Sequence, residues 1–201
     1  MCQAAKRGVG TIRKSREDAA VSKGRITAAA ARLMRESGIE KTGVAEVMKA
    51  ADMTHGGFYR HFASKDALVA EAIRHAADQT IGRFDGLAGE ELRAELRGYL
   101  ATYLSTGHVA NPGIGCPIAA TAEEGARADG DIRKVYAEMT RRLHGAFVRA
   151  LEDRVGDPEG EAWRMVATIV GAVTVARTLD DLDAVRVVLK SAASAARIPE
   201  G

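Results

Sequence analysis

Between Thr42 and Phe62 the apolar residues form two short runs broken by one turn, and that break constrains the fold more than any other feature of the chain. Val44, Val47, Met48 and Ala51 recur at i, i+3, i+4 and i+7, which is one face of a short helix. Ala51-Asp52 interrupts the run, and Met53, Phe58 and Phe62 then supply the inward face of a second. Upstream, Ile26, Ala29, Ala30, Leu33 and Met34 keep the same period until Ser37-Gly38, where glycine is a common left-handed helix terminator. Downstream, Ser64 is a good N-cap and Asp66 lies in the first turn of a helix carrying Leu68, Ala72, Ile73 and Ala76. The spacing predicts helices of about 15, 8 and 7 residues and a longer fourth, packed as one compact head.

The outer face of the third helix points to a partner. It carries Thr54, His55, Gly56 and Gly57, followed by Tyr59, Arg60 and His61, a set suited to meeting base edges in a DNA major groove. A glycine in a helix interior costs about 1 kcal/mol relative to alanine, so the pair needs a reason. Close approach of backbone to DNA is one; a frayed end or a tight contact with a neighbouring helix is the other.

Residues from about 20 to 80 resemble the DNA-binding head of the TetR family of bacterial transcriptional repressors. The resemblance rests on Ile26 through Gly38, Thr42, the Ala50-Ala51-Asp52-Met53 turn, Gly56 to Phe62, and the Ser64-Lys65-Asp66-Ala67-Leu68 helix entry. It implies a homodimer in which each head reads half of a near-palindromic operator. It also implies a helical C-terminal domain that binds a small molecule and releases the DNA. Carried over residue by residue, Thr54, His55 and Gly56 match positions that approach bases. Tyr59 and His61 match positions that bond phosphates or reach the groove edge, and Lys65 matches a phosphate contact at a helix N-terminus. Thr42, Gly43, Gly57 and Arg60 complete the expected DNA surface. Gly43 and Gly57 stand where relatives often have a hydroxyl, so phosphate contact there has to come from backbone amides.

Charge divides the chain in the same way. Its formal net charge is only +2, yet residues 1–75 hold 14 Lys+Arg against 8 Asp+Glu, and residues 76–201 hold 15 against 19. A basic head on an acidic body concentrates the attraction for phosphate at one end. The expected organisation is all-α: a disordered basic arm over 1–20, a helix-turn-helix domain over 21–80, and a ligand-binding and dimerisation domain over 81–201. The arm carries Lys6, Arg7, Arg13, Lys14 and Arg16 and lacks the apolar centre of a secretory signal; it either enters a minor groove or is a solvated tail. No apolar run reaches about 18 residues, which excludes a membrane-spanning helix, and the two cysteines make no disulfide framework. These features predict a cytoplasmic protein.

Beyond residue 80 the periodicity predicts five amphipathic helices. Leu92 to Leu104 mark the first, Asn111-Pro-Gly-Ile-Gly115 breaks it, and Pro117 opens a short one through Glu124. Ile132 to Leu151 mark a long one, and two more run from about Glu159 to Leu179 and from Asp181 to Arg197. In the last two, Ala162, Val166, Ile169, Val170, Val173, Leu182, Val185 and Leu189 form stripes that suit a four-helix packing between subunits; ordinary intrachain core is the alternative. Tyr99, Tyr103, Cys116, Met139, His144, Phe147 and Trp163 are the candidate lining of a cavity for a small apolar molecule. Cys116 would occupy a helix cap, where the dipole favours a thiolate, and so either senses electrophiles or oxidants or packs as an inert thiol. There is no phosphate loop, no metal-ligand spacing and no base marked beside Cys116, so the sequence argues against an enzyme and calls for no cofactor or metal.

Overall fold

The computed structural model describes residues 5–199, with side chains from residue 17 onward, and every regular element in that range is helical. The α-helices are α1 (Ala5–Ser37), α2 (Val44–Ala50), α3 (Lys65–Ile81), α4 (Gly89–Tyr103), α5 (Thr106–Ala110), α6 (Pro117–Arg127), α7 (Gly130–Leu151), α8 (Pro158–Ala176) and α9 (Leu182–Ala195). Three 3-10 segments, His55–Arg60, Gly82–Phe84 and Pro112–Ile114, fill the joints between them.

The N-terminal end differs from expectation. Residues 5–20, expected as a disordered arm, continue the backbone of α1, while residues 1–4 lie outside the described range. No proline interrupts this stretch, and its alanine, lysine and arginine are good helix formers that offset Gly8 and Gly10. The other end of α1 stops as expected. Gly38 adopts φ +92 and its N–H donates to the Met34 carbonyl at 2.9 Å.

In the head, Ile26, Ala30, Met34, Val47, Met48, Phe58 and Leu68 are essentially inaccessible to solvent, and Phe62 is buried among them. Asp52 turns the chain between the second and third elements with φ 55, a left-handed conformation that aspartate tolerates better than most residues. The third element is a six-residue 3-10 segment, His55–Arg60, and not the α-helix the spacing predicts. Gly56 and Gly57 weaken helix propagation, and the Thr54 cap makes no side-chain hydrogen bond. The inward register survives because Phe58 and Phe62 stack at 5.7 Å, and both the His61 and Phe62 amides donate to the Phe58 carbonyl.

Helix α3 joins head to body. Ser64 caps it by accepting from the Ala67 amide at 3.1 Å; the helix then packs against α1 and, further along, against α7. Arg142 of α7 fixes that contact with two hydrogen bonds of 2.7 Å, one to Asp78 and one to Asp85, and these carboxylates raise its pKa. In the body, Leu92, Leu96, Leu143, Phe147 and Leu151 form a closed core with Ile169 and Val173 of α8. Helix α8 lies between α7 and α9.

That packing corrects the expected subunit interface. Ala162, Val166, Ile169, Val173, Val185 and Leu189 are buried within this one chain, and Val170 is half-buried; only Leu182 is open, at 52 % exposure. The stripes that periodicity reveals are spent on intrachain core. The open side of α8 and α9 instead presents Trp163, Ala167, Gly171, Val175 and Val187, with Leu182 beside them.

Candidate nucleic-acid interface and ligand cavity

The turn and caps above leave Thr54, His55, Gly56, Tyr59 and Arg60 exposed on one side of the head, Tyr59 by 75 %. His61 and Gly57 are half-buried beside them. At Gly56 an added Cβ meets nothing within 4 Å, and at Gly57 it meets only Met48 Cε and Thr54 Oγ1 at ordinary contact distance. Crowding inside the head therefore does not account for the glycine pair. Gly43 is exposed as the N-cap of α2, again with nothing near its Cβ.

Two expected DNA contacts are engaged inward. The Thr42 side chain is 1 % exposed, and its hydroxyl donates to the Gly38 carbonyl at 2.7 Å, so it braces the α1–α2 loop and presents nothing to a phosphate. Lys65 Nζ, half-buried, donates to the Glu40 carbonyl at 3.1 Å. Its charge stays beside the helix N-terminus, but its ammonium already serves the same loop.

The body holds a half-open cavity of about 420 Å³ between α3, α4, α5 and the turn leading into α6. Of the expected lining, Tyr99, Tyr103 and Cys116 are there. Phe147 is fully buried core, and Met139 borders a separate cleft of about 110 Å³. His144 and Trp163 stack on each other at 3.8 Å, with His144 Nε2 3.2 Å from the Glu159 carbonyl oxygen, and take no part in the cavity. Spacing alone places aromatic side chains on a face; it cannot say whether that face meets a void or another helix.

Gln79 and Thr80 of α3, Arg83 of the 3-10 segment that follows it, and His108 are among the wall residues that sequence reasoning missed. A signal for His108 existed. Ser105 stands three residues before it in an N-cap pattern, and its hydroxyl accepts from the His108 amide at 3.1 Å. His108 organises the cavity floor. Its Nδ1 pairs with the Tyr103 carbonyl at 2.7 Å, and its Nε2 accepts from the Cys116 amide at 3.1 Å, an arrangement that requires a neutral ring. Burial lowers its pKa below 6.5, in agreement.

The Tyr99 and Tyr103 rings meet at a tilt, 5.3 Å between centroids, with hydroxyls that are closed off from solvent and lack hydrogen-bond partners, and burial pushes both pKa values well up. The Cys116 thiol is near enough to Tyr103 to raise it further, without the geometry of a hydrogen bond. Cys116 is the N-cap of α6 as expected, but its sulfur caps nothing and is buried. No nitrogen of His108 remains free to act as a base toward it.

Residues 26–72 match the family model for bacterial regulatory proteins of the tetR family. The head is a TetR-family DNA-binding domain. It is 33% identical over 75 residues to the transcriptional repressor KstR2 of Rhodococcus jostii (strain RHA1), a match covering 36% of this chain and 37% of that one. It is 28% identical over 171 residues to an uncharacterized HTH-type transcriptional regulator of Mycobacterium tuberculosis (strain ATCC 25618 / H37Rv), covering 79% and 85%. With the first curated relatives the match spans only about a third of their length. A TetR transcriptional regulator from Chloroflexus aurantiacus J-10-FL shares the fold at TM-score 0.72 and 27% identity, over 89% of this chain and 95% of that one. Among the described residues no helix is long and apolar enough to cross a membrane.

Proposed function

We propose that this regulator is a homodimeric repressor that leaves its operator when a small, largely apolar molecule enters the 420 Å³ cavity. The observation that carries this reading is the cavity wall. Gln79, Thr80 and Arg83 lie near the C-terminal end of α3, and the N-terminal end of the same helix begins just behind the exposed Thr54–Arg60 surface. A ligand that shifts the far end of a rigid helix also shifts the head. Thr54, His55 and Gly56 meet bases; Tyr59, Arg60, His61, Lys65 and the amides near Gly43 and Gly57 meet phosphate. The two heads of the dimer stand about 34–36 Å apart on successive major grooves. Ligand has to favour the non-binding arrangement by a few kcal/mol to shift the population. The regulator works in the cytoplasm on double-stranded DNA.

The test is direct. A duplex is selected from a random pool by the full chain, and candidate apolar compounds are titrated into the complex. Release at concentrations matching cavity occupancy supports the reading; compounds that fill the cavity without changing affinity sink it. Cys116 on the cavity wall favours a second reading on the same scaffold, in which an electrophile or oxidant modifies the thiol. Release that persists in Cys116→Ser removes that alternative.

A further inference from the structure

The loop Gly38–Gly43 delivers the chain from α1 to the helix-turn-helix, and it is held by the body as well as by the head. Glu124 of α6 reaches across. One carboxylate oxygen accepts from the Ile39 amide at 3.0 Å and the other from the Glu40 amide at 2.9 Å. These N–H groups follow the left-handed Gly38, where a Cβ would come within 3.2 Å of the same carboxylate. The Glu40 carbonyl in turn accepts Lys65 Nζ at 3.1 Å, at the first residue of α3. One peptide segment is thus gripped on one side by a body carboxylate and on the other by the lysine that follows the reading surface. The start of α6 is tied to α1 as well: buried Arg35 donates to the Gly115 carbonyl at 3.1 Å, beside the cavity.

We infer that Glu124 is a positioning residue for DNA binding, which sets the Gly38–Gly43 loop, and through it α2 and Lys65, at the angle the operator requires. The neighbouring Glu123 cannot do this, because it pairs with Arg127 along the helix surface. A carboxylate spanning two backbone amides acts through reach and through its two oxygens, so the three obvious substitutions behave differently. Glu124→Gln keeps the length and one carbonyl oxygen. Glu124→Asp keeps the charge and loses one methylene of reach. Glu124→Ala loses both.

The experiment combines amide hydrogen exchange at Ile39 and Glu40 with affinity for a duplex selected by the wild-type full chain, and thermal unfolding as the control. Glu124→Ala and Glu124→Asp are expected to exchange at least ten times faster at these amides and to bind the selected duplex about ten-fold more weakly. Glu124→Gln is expected to recover part of both, because its one carbonyl oxygen still accepts from one of the two amides while its NH2 faces the other. Unchanged exchange in Glu124→Asp overturns the grip, and faster exchange with undiminished duplex affinity overturns the positioning role. Equal losses in Glu124→Gln and Glu124→Ala overturn it too, because reach then counts for nothing. Should Glu124→Ala fail to fold, the Asp and Gln pair still decides. The inference rests on the DNA-reading surface proposed above but fails separately from it: a wild-type chain that selects no duplex refutes that surface, whereas the exchange readings bear on the grip alone.

Discussion

At the scale of single residues, chemistry that looks alike in the sequence separates by where each side chain points. Thr42 and Thr54 are both hydroxyl residues at helix approaches, yet one is 1 % exposed and the other is open to solvent. Thr42→Val removes the hydrogen bond to Gly38 while keeping the shape. It is expected to lower unfolding free energy by about 1 kcal/mol in urea denaturation while leaving the salt dependence of DNA binding unchanged. A shallower salt slope in that variant means that Thr42 meets phosphate after all. His55→Ala, in contrast, is expected to leave stability within about 0.5 kcal/mol of wild type. It should erode discrimination between the selected duplex and a scrambled one by about 1–3 kcal/mol, measured as the ratio of two affinities at one salt concentration. Equal weakening on both duplexes assigns His55 to phosphate and removes it from base reading. The family motif places both threonines near DNA, whereas only the fold tells which hydroxyl is free.

At the scale of elements, helices of seven residues or more were legible and the shortest segments were not. The positions of α7, α8 and α9 follow from apolar periodicity because many buried contacts along one face outweigh local propensity. The segment His55–Arg60 tightened to a 3-10 helix, and α5 escaped notice, because five or six residues carry too little pattern to separate helix types. The cavity was half legible for a related reason: Tyr99 and Tyr103 share a face one turn apart, but His108 belongs to the unread α5. That short helix carries a pH-dependent element. Burial lowers the folded pKa of His108 below its ordinary value near 6.5, against the Tyr103 carbonyl, which favours the charged ring, and with nearby Arg177, which disfavours it. A depressed pKa means the unfolded chain binds the proton more readily. The stabilisation is therefore fully present above about pH 6.5 and is lost as pH falls through the lower folded value. Denaturation midpoints measured from pH 7.5 to 5 should fall, and His108→Gln should flatten that part of the profile. An identical slope in the variant would place the acid sensitivity elsewhere.

At the scale of the whole molecule, the apolar side of α8 that the sequence reveals closes the protomer, and the question is what closes the other side. Trp163, Ala167, Gly171 and Val175 follow one another at helical spacing on the open face, with Val187 of α9 exposed by 64 % beside them. An added Cβ at Gly171 meets nothing within 4 Å, so the chain itself has no use for the gap; a second helix crossing there would. Two substitutions only two residues apart should therefore part company. Ile169→Ala empties a fully buried site and is expected to cost about 2–4 kcal/mol of unfolding free energy, with any loss of assembly following from that. Gly171→Glu replaces glycine inside a helix with a better helix former, so the protomer keeps its stability, but a charge then stands where a partner helix of the proposed dimer would pack. Sedimentation velocity should show wild type as a dimer and Gly171→Glu as a folded monomer. Emission from Trp163, the chain's one tryptophan, should shift to the red in the variant as its exposed face loses cover. Operator affinity then falls steeply, because half-sites once bound together are bound one at a time. A Gly171→Glu chain that stays dimeric and keeps its affinity moves the subunit contact off this face, and the spacing of the two reading heads has to be derived from a different surface.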